Sequence, residues 1–202
     1  MSTRSYTSHV RSAAAAEKRE RAIQAAAAFL RESGSAASFS LDTVAKLAGV
    51  TRLTLYNQFG SRRGLLEAVF DDIAQRGRLV RLKDVAMQAD PRQGLDQMIG
   101  IFCEFWSHDA AVERLHEAMV LDPEFAQALI ERNERRRGLV RGLVERIVPK
   151  SAGAAAKRDV VDLIFAMTSM AMYRMLSQRR SAKAVEALIR STVHAALDRL
   201  AE

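Results

Sequence analysis

The chain holds one cysteine and three prolines in 202 residues, few aromatics, and no long apolar run. The single thiol, Cys103, can form neither an intrachain disulfide nor a cysteine-based zinc site. The longest purely apolar stretches, such as 25–30 and 163–167, fall far short of the ~20 residues that a membrane helix needs. Residues 1–11 are polar and carry no apolar h-region, so no signal peptide is expected. Together these absences point to the cytoplasm and to no membrane partner. There is no phosphate-binding glycine loop, no nucleophile elbow and no zinc-peptidase helix motif, so neither an enzyme nor a cofactor is expected. His108 and His116 lie off metal-ligand spacing, and no metal site is expected either.

Hydrophobic residues make up 49% and charged residues 27%, the balance of a chain that folds around a core. The net charge is +7 and the isoelectric point about 10.1. The excess is uneven: residues 1–80 hold 12 basic and 7 acidic side chains, the remainder 19 and 17. A basic N-terminal part beside a nearly balanced remainder suits an anionic partner, although solubility alone would explain the charge as well.

Alanine, leucine, arginine and glutamate dominate, and β-branched alternation is scarce, so the fold expected is all-α. The prolines punctuate it. Asp90-Pro91 and Asp122-Pro123 each place a capping carboxylate before a proline at a first helical position, and Pro149 ends a helix. The pattern predicts nine helices, at 14–33, 41–48, 52–59, 62–88, 91–107, 109–120, 123–148, 154–178 and 182–201. The expected organisation is a basic, disordered N-terminal arm over 1–13, a helix-turn-helix domain over 14–66, and a helical ligand-binding and dimerisation domain over 67–202.

The most informative stretch is 39–66, FSLDTVAKLAGVTRLTLYNQFGSRRGLL. Ser40 can cap a short helix that ends at Ala48. Ala45 is small enough for a second helix to cross closely. Gly49 suits a left-handed turn position, and Thr51 caps the next helix. Leu55 and Phe59, four apart, face inward. This is a helix-turn-helix pattern. Opposite them Arg52, Leu53, Tyr56 and Asn57 face outward. Arginine can bond guanine O6/N7, asparagine can bond adenine N6/N7, and leucine can touch a thymine methyl. Tyr56 offers a hydroxyl to a phosphate oxygen. Ser61 caps a further helix whose first turn holds Arg62 and Arg63, an arrangement that suits a phosphate clamp. The full set expected to contact DNA is Ser40, Thr43, Thr51, Arg52, Leu53, Thr54, Tyr56, Asn57 and Arg62.

Residues 39–66 resemble the DNA-binding domain of the TetR family of transcriptional regulators. The Ala-x-x-Ala-Gly-Val run at 45–50, the Thr-Leu-Tyr-x-x-Phe string at 54–59, and Ser61-Arg62 followed by Leu65-Leu66 carry the likeness. Arg62 stands where the family usually has lysine, and Leu53 where it often has a small residue or proline. Gly60 replaces a common proline, and Gly64 a better helix former, which implies a softer start to the helix after Ser61. The resemblance implies a ligand-responsive repressor: a homodimer on a near-palindromic DNA operator, with C-terminal helices forming the dimer interface and a pocket for an effector whose binding releases DNA.

The expected pocket uses Met98, Phe102, Phe105 and Trp106, then Met119, Phe125 and Leu129, then Met167, Met170 and Tyr173. Methionine and aromatic walls suit an apolar small molecule, and the same residues at helical spacing equally describe a plain core. The last helix repeats apolar residues at Val185, Leu188, Ile189, Val193 and Leu197, the expected dimer interface. Cys103 reads as an inert core thiol. The run 132–141, with Arg135, Arg136 and Arg137, reads as a solvated helix face. Two other readings stay open: an activator with the same DNA domain and no small-molecule effector, and a helical lipid- or small-molecule-binding protein whose helix-turn-helix is only a structural corner.

Overall fold

The computed structural model describes residues 3–33 and 35–200, which are helical throughout apart from turns and short connections. The helices are α1 (Thr3–Glu32), α2 (Leu41–Ala48), α3 (Arg52–Phe59), α4 (Arg62–Arg76), α5 (Leu82–Val85), α6 (Pro91–His108), α7 (Ala111–Leu121), α8 (Pro123–Ile147), α9 (Ala154–Met167), α10 (Met170–Ser177) and α11 (Ala182–Asp198). The all-α expectation holds. α1 starts at Thr3, inside the stretch read from sequence as an arm; Met1 and Ser2 of that arm lie outside the described residues.

Two helices expected to be continuous are each divided, which accounts for eleven helical segments among the described residues in place of nine. The helix placed at 62–88 stops at Arg76, because Arg78 adopts a left-handed conformation with φ of 58°. The chain then makes a 3-10 turn over Leu79–Arg81 before α5. The helix placed at 154–178 breaks after Met167, and its halves are bent by 58°. Two adjacent hydroxyls explain the break. Thr168 turns its Oγ1 back to the carbonyl of Ile164 at 2.8 Å, and Ser169 accepts the amide of Met172 at 3.2 Å as the cap of α10. Such side-chain bonds compete with the helix's own ladder. Among the described residues no single helix is long and apolar enough to cross a membrane.

The chain divides into two compact units, Met1–Ile73 with Ala110–Ala128, and Ala74–Asp109 with Leu129–Glu202. In the first, α1 packs against α2, α3 and α7. Its core is built from Ile23, Ala26, Ala27 and Leu30 of α1, Val44 of α2, Leu55 of α3, Leu65 and Val69 of α4, and Leu115 of α7, all buried. The start of α8 closes it: Asp122 Oδ1 accepts the amide of Phe125 at 3.0 Å, the cap expected from the Asp-Pro pair.

In the second unit α11 packs along α6 and also against α9 and α10. Asp90 Oδ1 accepts the amide of Arg92 at 2.9 Å and starts α6. Ile99, Phe105, Val144, Ile164, Val185 and Val193 lie in its core. Arg146 ties α8 to the segment after α5 through the carbonyls of Ala86 and Gln88.

Candidate nucleic-acid interface

The helix-turn-helix forms as its local signals dictate. Ser40 Oγ accepts the amide of Thr43 at 3.1 Å, opening α2. Gly49 closes α2 in the left-handed region, with φ of 63°. The Val50 amide bonds the carbonyl of Ala45 at 3.0 Å and the Gly49 amide that of Lys46 at 3.3 Å, the paired closure of a left-handed helix end. Thr51 Oγ1 accepts the amide of Thr54 at 3.1 Å and opens α3 two residues later. The four hydroxyls of Ser40, Thr43, Thr51 and Thr54 are therefore engaged in capping pairs, Ser40 with Thr43 and Thr51 with Thr54, each 2.9 Å apart.

Leu55 is buried beneath α3, and Phe59 is half-buried under the guanidinium of Arg19, 5.1 Å from its ring centre. The opposite face is open. Leu53 is 66% exposed and Tyr56 58%, and Arg52 and Asn57 stand exposed beside them. Large apolar groups left in water on a short, doubly capped helix form a surface ready for a partner.

Sequence reasoning missed Asp42. It lies on α2 and holds Arg52 Nη1 at 3.0 Å, with both side chains more than half exposed. Nothing in the spacing of ten positions announces this pair; it exists because the turn at Gly49 brings α2 and α3 together. A Cβ at Gly64 would lie 2.0 Å from the carbonyl oxygen of Phe59, so the glycine permits the tight entry into α4. Ser61 Oγ accepts the Gly64 amide at 3.0 Å.

Arg62 faces inward. Its Nε donates to the carbonyl of Phe39 at 3.1 Å, its Nη1 reaches Asp122 Oδ2 at 2.7 Å, and it lies over the Phe39 ring. The side chain is 26% exposed. This placement joins α4, the α1–α2 connection and the start of α8, and does not present the guanidinium as an open clamp. Arg63 pairs with Glu67 at 2.7 Å on its own helix.

The residues expected to line an effector pocket divide between the units. Met119 and Phe125 belong to the first; Phe125 is fully buried and Met119 half-buried. In the second, Met98, Phe102, Phe105, Trp106, Leu129, Met170 and Tyr173 are buried and Met167 is half-buried. The rings of Phe102 and Phe105 lie 5.9 and 4.8 Å from that of Trp106.

A buried cation sits among these rings, which the reading of 132–141 as a solvated face did not foresee. Arg136 is 7% exposed and lies between Phe102 and Phe165, 5.3 and 4.3 Å from their ring centres. Its Nη1 donates to the carbonyl of Thr168 at 2.7 Å, and Trp106 Nε1 donates to the same oxygen at 3.0 Å. The break between α9 and α10 frees that carbonyl. Burial, and then the neighbouring Arg137, push the Arg136 guanidinium down to about 10. Arg136 thus still carries its charge at neutral pH.

Of the residues expected at a dimer interface, Val185, Ile189, Val193 and Leu197 are buried in this chain's own second unit. Within the unit α11 runs along α6 and also meets α9 and α10. Leu188, on another face, is 37% exposed. Burial raises the Cys103 thiol to about 12, with Glu186 adding to the shift, as fits an inert core thiol.

Residues 22–69 match the family described as "Bacterial regulatory proteins, tetR family". Over 113 residues the chain is 35% identical to the HTH-type transcriptional regulator EthR of Mycolicibacterium smegmatis, a match covering 55% of this chain and 52% of that protein. The chain thus spans about half the length of that relative. Among solved structures, a TetR transcription regulator from Haloarcula marismortui superposes with a TM-score of 0.67 at 17% identity, covering 92% of this chain and 98% of that one. A TetR/AcrR-family regulator from Thermobifida fusca gives 0.62 at 20% identity, covering 88% and 96%. At such identities these likenesses speak for the fold. Residues 22–69 thus match the helix-turn-helix of the TetR family of bacterial regulatory proteins, and the all-helical architecture has the fold of solved TetR-family regulators.

Proposed function

We propose that the protein is a DNA-binding transcriptional regulator that acts as a homodimer on a near-palindromic operator, represses, and is released by a small apolar effector. The observation that carries this reading is the outer face of α3, where Arg52, Leu53, Tyr56 and Asn57 stand exposed opposite buried Leu55. A short helix of this kind can lie in a major groove and touch base edges with its first turns. Asn57 reads a base; Tyr56 and Arg52 reach phosphates or base edges; Leu53 meets a thymine methyl. The capping hydroxyls hold the helix rigidly for that task. The basic balance of residues 1–80 supports an anionic partner.

Dimerisation rests on α10 and α11. Met175 is 60% and Leu188 37% exposed there, outside the stripe that α6 covers. Two copies joined by these helices would offer two recognition helices to half-sites about one helical turn apart, ~34–36 Å. The effector site is assigned to the methionine and aromatic residues of the second unit, among them Met98, Phe102, Trp106, Met170 and Tyr173. An effector changes DNA affinity only through unequal affinity for the two states of the dimer. Such a regulator works beside the chromosome, in the cytoplasm.

The test is a fluorescence-anisotropy titration with duplex DNA at low salt. Wild type binds, and Tyr56→Glu, a change on an exposed position that leaves the fold intact, binds far more weakly. Equal affinity of the two proteins would overturn the assignment of this face. A wild type that ignores duplexes would favour the structural-corner reading.

A further inference from the structure

The second unit holds a half-open groove of about 350 Å³ between the C-terminal half of α8 and the start of α9. None of its lining residues belongs to the set expected to hold the effector. Its floor is apolar: Val144 and Val161 are buried core residues, and Ala154 joins them. Its walls carry four cations, Arg137, Arg141, Lys157 and Arg158, against two carboxylates, Glu145 and Asp162. Arg137 is already committed. It pairs with Asp162 and Glu134 and lies 4.1 Å from the centre of the Phe165 ring. Among the described residues Arg141, Lys157 and Arg158 make no ion pair of their own. This is where the arginine-rich stretch of α8, left as a plain solvated face by the sequence, meets two further cations from α9.

The geometry points to a binding site for a small amphiphilic carboxylate: an anionic head held by Arg141, Lys157 and Arg158, and a short apolar body laid on Val144, Val161 and Ala154. The volume lies at the lower end of the range for small-molecule sites, which suits a medium-chain acid. Charge complementarity selects the head, because uncommitted cations at the rim of a low-dielectric floor strengthen a charge-assisted bond. The floor selects the body, at ~25 cal/mol for each Å² of apolar surface withdrawn from water. The site lies wholly in the second unit, and its occupation does not depend on the DNA-binding reading of the first.

Isothermal titration calorimetry of the full-length protein with octanoate, acetate and 1-octanol tests the site. Octanoate binds about tenfold or more tightly than acetate, which lacks the body, and than 1-octanol, which lacks the charge. The doubly substituted Arg141→Glu/Arg158→Glu protein, changed only at exposed positions, loses octanoate binding. Ala154→Trp fills the groove with every charge kept, and loses it as well. Circular dichroism checks that both variants stay helical. Equal affinity for octanoate and 1-octanol overturns the proposed head contact, and equal affinity for octanoate and acetate overturns the floor. Absence of octanoate binding, or binding that survives both variants, overturns the site. A duplex titration of the same samples reads DNA binding separately, so failure here is distinct from failure of α3.

Discussion

The carboxylate of Asp122 is shared between two jobs: one oxygen caps α8 through the Phe125 amide at 3.0 Å, and the other holds Arg62 at 2.7 Å. Sixty positions separate the ion-pair partners. Arg62 also ties down the carbonyl of Phe39 just before the helix-turn-helix begins. The arginine that follows α3 therefore positions α4.

Arg62→Ala removes the ion pair and the bond to the Phe39 carbonyl, leaving a half-buried carboxylate with only its cap. The expected cost is ~1–3 kcal/mol of stability, read by chemical denaturation. Because the side chain faces inward, the salt dependence of DNA binding should keep its slope. A slope smaller by ~0.9 with unchanged stability would make Arg62 a phosphate contact after all.

Asp42 holds Arg52 in an exposed pair, so Asp42→Ala should change stability by less than ~1 kcal/mol. Removal of the carboxylate frees Arg52 and takes a negative charge from the face proposed to meet phosphates. DNA affinity should rise, and the salt slope should steepen by up to ~0.9. Weaker binding would show that the pair orients Arg52 for base contact.

The helix-turn-helix was legible because each of its signals is local. Ser40 and Thr51 cap the helices that follow them, and Gly49 occupies the left-handed position that its place in the pattern demands. The same holds for the Asp-Pro starts of α6 and α8. What the sequence hid depends on distant partners. Arg136 is one of three successive arginines, and only the packing of Phe102 and Phe165, with the carbonyl freed at Thr168, decides that this one is buried. The break there had a local sign, the Thr168-Ser169 pair, but it stood inside an apolar run that reads as one helix. Arg78 carries no residue-type signal for its left-handed backbone beyond the glycine before it. The α11 stripe was read correctly as apolar, yet periodicity cannot say whether the covering helix comes from the same chain.

That ambiguity gives a contrast between neighbours. Ile189 is 1% exposed, so Ile189→Ala should cost ~2–5 kcal/mol in denaturation. Leu188 is exposed at its edge, so Leu188→Arg should leave the protomer folded and shift sedimentation from dimer to monomer. A dimer that survives Leu188→Arg would put the interface on another face.

Cys103 supplies a pH dependence. Its thiol titrates near 9.0 in the unfolded chain and near 12 when buried. The folded state keeps its proton longer, so this group's contribution is fully present below pH 9 and is lost as pH rises toward 12. At pH 10 wild type should have lost ~1.4 kcal/mol more, relative to pH 7, than Cys103→Ala. Parallel stability curves for the two proteins would show that the thiol ionises in the folded state as it does in the unfolded chain.

The most direct test of the central claim is selection of bound sites from a random duplex library, run with wild type and Asn57→Ala. Wild type should enrich a two-fold symmetric site with half-site centres about one helical turn apart. Asn57→Ala should lose preference at one base in each half, at ~1–3 kcal/mol, and keep the rest of the site. A library that emerges with no enriched sequence, or an enriched site identical for both proteins, would contradict the reading of DNA by α3.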